Sequence, residues 1–117
     1  MINIMTSIYP YRMDLSSKKP IELSVSIKNL SKFIKLLSFD IQLDGTLSFE
    51  KSGLKKSKYF RLDDVKPNEI KNFKFQVHPS QGCKPGMHKI KLVVNEHYRD
   101  YNSLTDKTEK ILQIKVI

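Results

Sequence analysis

Apolar and polar residues alternate along most of this chain, with the period of two that is typical of half-buried β-strands. Residues 21–28, I-E-L-S-V-S-I-K, show the pattern most clearly, because every second side chain is isoleucine, leucine or valine. The same alternation marks residues 39–43, 73–77, 90–94 and 111–117. β-Branched and aromatic residues favour extended backbone. Each segment therefore predicts an antiparallel strand with one face toward a core.

The apolar faces of these strands define the predicted core. It consists of Leu23, Val25, Ile27, Phe39, Ile41, Leu43, Phe73, Phe75, Val77, Ile90, Leu92, Val94, Leu112, Ile114 and Val116. Residues 58–63 form a weaker candidate strand, and the N-terminal segment contributes Ile4, Ile8 and Met13. Pro10 has no amide hydrogen to donate, so this segment predicts an edge strand or a strand broken at the proline.

Two connections carry specific expectations. Asp44-Gly45 predicts a tight hairpin turn, since this pair tolerates the positive φ of such turns. Leu47 and Phe49 would then continue as a short return strand. Residues 30–37, L-S-K-F-I-K-L-L, are compatible with one helical turn and equally with a loop that begins a strand.

The number and spacing of the strands indicate the fold class. About seven to eight short strands with turn residues between them, and no convincing helical period, predict an all-β protein. The expected architecture is an antiparallel immunoglobulin-like β-sandwich. A chain of 117 residues suits one domain with its own core. We therefore predict a single immunoglobulin-like β-sandwich domain over residues 1–117.

Three segments resemble the immunoglobulin-like CARDB family, named for cell adhesion in bacteria. S-V-S-I-K-N-L-S at 24–31 is similar to its valine-x-valine-x-asparagine strand. L-D-D-V-K-P-N-E-I-K-N-F-K-F at 62–75 resembles its leucine-x-proline-glycine-glutamate turn, with Asn68 at the turn glycine, and K-P-G-M-H-K-I-K-L-V-V at 84–94 resembles its glycine-x-tyrosine strand. The composition is similar to that of small archaeal proteins. The resemblance implies a binding or scaffolding module without catalysis.

Composition narrows the classes of function. The net charge is +9, and of the 21 basic residues three are arginine, the usual reader of phosphates and bases. The single cysteine cannot form an intramolecular disulfide, and no basic and apolar leader opens the chain. No apolar run approaches the ~18 residues of a membrane span. These features predict a cytoplasmic protein with no membrane partner, and they leave nucleic-acid binding open as an alternative.

Residues 96–103, E-H-Y-R-D-Y-N-S, form the candidate partner-binding site, because end loops of sandwiches carry binding residues and tyrosine and arginine are frequent interface anchors. The candidate contact residues are His97, Tyr98, Arg99, Asp100 and Tyr101. The alternative is a solvated loop in which Arg99 pairs with Asp100. Tyr98 would then hydrogen-bond the backbone across a corner of the sandwich.

Residues 51–61, which we call the basic strip, form the alternative site. The candidate anion-binding residues are Lys51, Lys55, Lys56, Lys58 and Arg61. Tyr59 and Phe60 add stacking surface of the kind that single-stranded nucleic-acid binders use. The competing interpretation is an edge strand that lysines protect from pairing with other chains.

Residues 77–89 gather rare residues, because Cys83 lies midway between His78 and His88. Strand parity predicts that His78 points outward and His88 toward the mouth of the core. The prolines and glycines of this stretch indicate a connection between strands rather than a zinc or nucleophile site.

We therefore predict no enzyme, no catalytic or metal site and no cofactor. The predicted function is a non-catalytic protein-interaction or scaffolding module. Its partner is a protein, with a homodimer through an edge strand as one form. The alternative is binding of an anionic polymer, such as single-stranded nucleic acid, through the basic strip.

Overall fold

The computed structural model describes residues 1–117 and contains nine β-strands and no helix. The strands are β1 (Ile2–Tyr9), β2 (Arg12–Met13), β3 (Ile21–Asn29), β4 (Lys35–Leu43), β5 (Leu47–Ser48), β6 (Ser57–Val65), β7 (Ile70–Pro79), β8 (Gly86–His97) and β9 (Leu104–Val116). They form a four-stranded sheet in the order β1-β3-β7-β5 and a five-stranded sheet in the order β2-β9-β8-β4-β6. All pairs are antiparallel except β2 with β9. The predicted all-β sandwich is confirmed.

The core lies between the two sheets and contains 22 buried apolar residues. Every predicted core residue is buried except Phe73 and Leu112, which are half-buried and pack against the margin of the core. The core is larger than predicted, because the N-terminal segment and the short strands also contribute. The additional members are Ile2, Ile4, Met13, Ile21, Leu37, Leu47, Phe49, Leu62 and Val65.

A cluster of phenylalanines joins the two sheets. Phe39 and Phe60 come from the five-stranded sheet, and Phe73 and Phe75 come from the four-stranded sheet. The Phe73 ring centroid lies 5.2 Å from that of Phe39 and 5.1 Å from that of Phe60. Aromatic pairs at such distances contribute about 0.5–1.5 kcal/mol each beyond their burial. The cluster therefore fixes how one sheet lies on the other.

The expected hairpin at Asp44-Gly45 is wrong. The chain does turn there, since the Leu47 N–H donates to the Asp44 carbonyl at 3.0 Å. However, β5 pairs with β7 in the opposite sheet and not with β4. Leu47 is fully buried, and crossing to the other sheet is what places its side chain inside the core. The turn therefore closes a corner of the sandwich.

The N-terminal segment divides at Pro10, as predicted. β1 is an edge of the four-stranded sheet, and β2 joins the five-stranded sheet beside β9. The free edge of β1 is partly covered, because the Lys110 ammonium donates to the Ile4 carbonyl at 3.2 Å. Of the two alternatives for residues 30–37, the loop that begins a strand is correct, since a bend at 31–33 precedes β4.

Asn29 ends β3, and its backbone holds the turn between β6 and β7. Its N–H donates to the Glu69 carbonyl at 3.2 Å, and its carbonyl accepts from the Asn68 N–H at 2.7 Å. Asn68 has a φ of 65°, so it takes the left-handed conformation that its place at the turn glycine predicts.

The Asn29 side chain is fully buried and also uses all its polar groups. Its Nδ2 donates to the carbonyls of Phe33 at 2.8 Å and Val65 at 2.9 Å. Its Oδ1 accepts from the N–H of Ser31 at 2.9 Å and from the Ser31 hydroxyl at 2.7 Å. Val65 belongs to the five-stranded sheet, so this one side chain ties both sheets to the loop before β4.

We expect the Asn29→Ala substitution to lower the free energy of unfolding by about 3 kcal/mol, because it leaves buried carbonyl groups without donors. Chemical denaturation measures the loss. Asn72→Ala is the matched control, since Asn72 is exposed and accepts one hydrogen bond from Ser26. The control should lose less than about 1 kcal/mol. Equal losses in the two variants would contradict the role of Asn29.

Candidate functional site

Four segments meet at the end of the sandwich where β3 finishes. The Leu30 N–H donates to the Met1 carbonyl at 3.0 Å, which places the N-terminus beside the loop 30–34. Asn29 brings in the turn 66–69 through its backbone. The pairing of Leu36 with His97 puts the β8–β9 loop, residues 98–103, at the same end. This end therefore collects the loops that a partner would meet first.

The loop 30–34 exposes three apolar side chains, Leu30, Phe33 and Ile34, which we call the apolar tip. Phe33 is 70% exposed and Ile34 is 59% exposed. The loop is nevertheless held in place, because the Phe33 carbonyl accepts from Asn29 Nδ2 and from the Ser31 hydroxyl, at 2.8 and 2.9 Å. The Phe33 N–H in turn donates to the Ser31 hydroxyl at 3.2 Å. The side chains of Asn29 and Ser31 therefore hold the backbone of the loop in one conformation, and the apolar tip stays exposed to solvent.

The sequence contains one signal that predicts the exposure of the apolar tip. Leu30, Phe33 and Ile34 break the alternation of the flanking strands and are mixed with serine and lysine. Apolar residues outside any strand or helix period have no face of an element to bury them. Such residues are therefore candidates for exposure.

The predicted site residues of the β8–β9 loop divide into two groups. Tyr98 and Arg99 form the exposed group, with the Arg99 guanidinium 5.0 Å from the centroid of the Tyr98 ring. Arg99 has a φ of 68°. Asp100 accepts from the Asn102 N–H at 2.9 Å and makes no ion pair with Arg99. Tyr98 and Arg99 thus present a stacked cation and aromatic ring beside the apolar tip.

Tyr101 and His97 form the second, half-buried group. The Tyr101 hydroxyl accepts from the Asp63 N–H at 2.9 Å and donates to Asp63 Oδ1 at 3.1 Å. The Arg61 guanidinium lies 4.6 Å from the Tyr101 ring centroid, and the His97 ring meets that ring edge-on at 5.2 Å. Burial raises the pKa of the Tyr101 phenol above its ordinary value. The tyrosine that bonds backbone across strands is therefore Tyr101, not Tyr98.

A polar network continues from His97 across the outer face of the five-stranded sheet. His97 Nε2 lies 2.8 Å from the Ser38 hydroxyl, and Asn95 Nδ2 donates to Ser38 at 3.1 Å and to Asp40 at 2.9 Å. The Ser38–His97 pair has hydrogen-bond geometry, but Ser38 is fully buried and His97 Nδ1 has no partner. A nucleophile needs access to substrate and a base that a third group orients. The network therefore lacks what a nucleophile site needs. Its hydrogen bonds instead link neighbouring strands on this face of the sheet.

The structure does not gather the basic strip into one surface. Lys56 turns inward and donates to the Leu47 carbonyl at 2.8 Å and to the Ser80 hydroxyl at 2.9 Å. The Lys58 ammonium lies 5.2 Å from the centroid of the Phe49 ring. Arg61 stacks on Tyr101, while Lys51 and Lys55 are exposed in the loop before β6. The five cations therefore contact different neighbours and do not form one continuous basic surface.

Residues 77–89 do form a connection, in which His78 is largely shielded from solvent. His78 lies opposite in parity to Val77, yet it is 6% exposed, because it pairs with Ser48 of β5 and the neighbouring loops cover it. His88 is half-buried and engaged elsewhere, with Nε2 2.7 Å from the Lys84 carbonyl. Cys83 is unpaired. The two histidines and the cysteine therefore do not converge.

No part of the chain forms a helix of the length and apolar character that would cross a membrane.

No protein-family model matches the sequence, and no curated protein matches it. Solved structures do share the fold. The chain is similar to the CARDB domain of the PF1109 protein from Pyrococcus furiosus, solved in complex with di-metal ions, at 19% identity and a TM-score of 0.59, over 99% of this chain and 89% of that one. In this chain no group of three or more His, Cys, Asp or Glu side chains lies where it could hold a metal ion. This chain therefore has no set of side chains that could bind metal ions as that domain does.

Two further structures show the same likeness. BslA, a bacterial hydrophobin, matches at 9% identity and a TM-score of 0.58, over 99% of this chain and 93% of that one. The alkylpurine DNA glycosylase AlkC of Pseudomonas fluorescens, bound to DNA containing an abasic site analog, matches at 16% identity and a TM-score of 0.57. That match covers 98% of this chain but 30% of the glycosylase chain. At these identities the likeness concerns the fold alone: this chain is a β-sandwich whose fold is similar to that of the CARDB domain.

Proposed function

We propose that this protein is a non-catalytic interaction or scaffolding module that contacts a protein partner through the end of the sandwich formed by the apolar tip and the β8–β9 loop. The observation that carries the proposal is the apolar tip itself. A buried, fully hydrogen-bonded asparagine holds Phe33 and Ile34 in solvent. Exposed apolar groups that adjoin one another mark interaction sites in soluble proteins.

The energetics of this surface suit a specific contact. Burying each of the three apolar side chains against a partner contributes about 1.5–3 kcal/mol. Because the loop is already ordered by its hydrogen bonds, little conformational entropy is lost on binding. Tyr98 and Arg99 add the residue types that are enriched at binding hot spots.

The charges around the apolar tip indicate the chemistry of the partner. Lys32 and Lys66 are exposed on the adjoining loop and turn, and Arg99 lies on the third segment of the same end. Glu69 and Asp100 lie on the same turn and loop, so the rim carries both signs and is complementary to an apolar groove bordered by residues of both charges. We infer a partner of that description.

A second copy of this chain is one form that the partner takes in this proposal, through an edge strand. β6 is the longer open edge of the five-stranded sheet, and β1 is the edge of the four-stranded sheet. The Lys110 contact blocks part of β1. The Tyr101 hydroxyl likewise occupies the Asp63 N–H of β6, so strand addition would use the length of either edge that stays open. We place the module in the cytoplasm, where a reducing environment suits the unpaired Cys83.

Site-specific photocrosslinking in the native cells tests the proposed surface. Phe33→p-benzoylphenylalanine and Tyr98→p-benzoylphenylalanine should each give one covalent adduct of defined mass. The same replacement at Tyr9, which is exposed at the opposite end, should give none. Equal adducts at Tyr9, or no adduct at either tip position, would refute the proposal. An adduct at the mass of two chains would identify self-association.

The strength of the contact should depend on the apolar tip. Ile34→Ser should reduce the adduct formed from position 98 by about tenfold or more, because about 1.4 kcal/mol of lost apolar burial corresponds to that factor. Leu54→Ser is the matched control, since Leu54 is equally apolar and exposed but belongs to the loop before β6. A reduction by the control as large as that by Ile34→Ser would show that the apolar tip is not the contact.

Binding of an anionic polymer is the second candidate function. It is supported by the net charge of +9. A domain of the same fold also occurs in a DNA glycosylase that was solved on DNA. In this candidate the exposed strip residues Lys51, Lys55 and Arg61 contact phosphates, while Lys56 keeps its structural hydrogen bonds.

Fluorescence anisotropy with single-stranded DNA tests this second candidate. With about three phosphate contacts, a fourfold increase in salt should weaken binding by about twentyfold. Lys55→Glu should weaken binding, and Lys107→Glu, an exposed lysine of β9, should change it much less. No binding to single- or double-stranded DNA at low salt would eliminate the candidate, as would equal effects of the two substitutions.

A further inference from the structure

A cavity of about 700 Å³ opens at the end of the sandwich opposite the apolar tip. Three separate parts of the chain form its walls. Leu15 and Lys18 follow β2, Lys51 follows β5, and His78 and Cys83 lie at the end of β7 and just beyond it. Leu15 and Cys83 also pack against the core, so they form an apolar floor. A volume of this size is in the usual range for small-molecule sites.

The charged groups of the cavity have one sign. Lys18 and Lys51 line it, and no aspartate or glutamate does. Neither ammonium group makes an ion pair or a hydrogen bond within the chain. Two unneutralised cations around a concave, partly apolar space create a local positive potential that concentrates anions.

His78 is the buried polar group of the cavity. It is 6% exposed, and its ring nitrogens have no hydrogen-bond partner, whereas His88 and His97 are both hydrogen-bonded. Burial, and then the positive charge of Lys51, lower the pKa of His78 below its ordinary value. The neutral ring still offers one N–H donor. His78 therefore lines the cavity with an N–H donor that no other group of the chain uses.

We propose that this cavity binds the phosphate group of a small molecule, with Lys18 and Lys51 balancing its charge and the His78 ring donating a hydrogen bond to one of its oxygens. A phosphate has the charge and the acceptor oxygens that these three side chains lack. The remaining volume over Leu15 and Cys83 accommodates the organic part of a phosphate ester. The site lies at the other end of the molecule from the proposed partner surface and is independent of it.

The ring proton resonance of His78 is the direct probe of this site. Its pKa should start below the ordinary histidine value and rise when phosphate binds, because a bound anion favours the protonated ring. The ring proton resonances of His88 and His97 should not respond to the ligand, which separates binding in the cavity from general attraction to a cationic protein. Three ligands are compared by NMR titration on the full chain: inorganic phosphate, glycerol 3-phosphate and glycerol.

Both phosphates should raise the pKa of His78, and glycerol should not. Tighter binding of glycerol 3-phosphate would identify an ester as the natural class of ligand, and equal binding would identify free phosphate. If neither phosphate shifts the His78 resonance at saturating concentration, or if all three histidines shift together, the proposal is wrong.

Matched double variants connect the effect to the two lysines. Lys18→Gln with Lys51→Gln should raise the pKa of unliganded His78, since the charge of Lys51 is removed, and should weaken phosphate binding by at least about tenfold. Lys19→Gln with Lys55→Gln removes the same charge from exposed neighbours that do not line the cavity. That control should behave like the unmodified protein, and equal weakening in both double variants would overturn the proposal.

Discussion

The hydrogen bonds of Asn29 are the constraint on which the proposed partner-binding end of this protein depends. Two sheets packed through apolar side chains can slide, because apolar contacts have no direction. A buried amide with four fixed partners cannot move without leaving polar groups unpaired, which costs far more than it gains. Through its side chain and backbone, Asn29 therefore joins the end of β6, the turn before β7 and the loop before β4 in one arrangement.

The two ends of the sandwich differ in chemistry. One end carries an apolar tip with a stacked tyrosine and arginine, and the other carries a cavity bordered by free cations. The molecule is 47 Å long in its longest dimension, so a ligand in the cavity and a partner on the tip do not compete for space. β3 and β7 both run from one end to the other.

Much of the fold could be predicted because it follows from local periodicity. Alternation located the long strands and nearly all of the predicted core, since each position needs only its neighbours two residues away. The crossing after Asp44-Gly45 could not be found in this way. The turn signal is local, whereas the burial of Leu47 depends on β7, which the chain reaches much later.

The sites were harder to predict for the same reason. Lys58 has the same inward parity as Phe60. Alternation alone would therefore have been enough to show that the cations of the basic strip do not all lie on one face. The cavity joins Lys18, Lys51 and His78 from distant parts of the chain, and no spacing in the sequence connects them. Parity oriented His78 correctly away from the core, but parity says nothing about which loops cover an outer face.

The pairing order also bears on how the nascent chain acquires its structure. β8 is the central strand of its sheet, held by β4 on one side and by β9 on the other. Until Ile114 and Val116 have emerged from the ribosome, β8 lacks its β9 neighbour, and the inner surface of β3 faces an incomplete five-stranded sheet. Sandwiches with such distant pairings fold slowly, in about milliseconds to seconds. Lysines lie on the outer faces of these strands, and such charges oppose aggregation of partly folded chains.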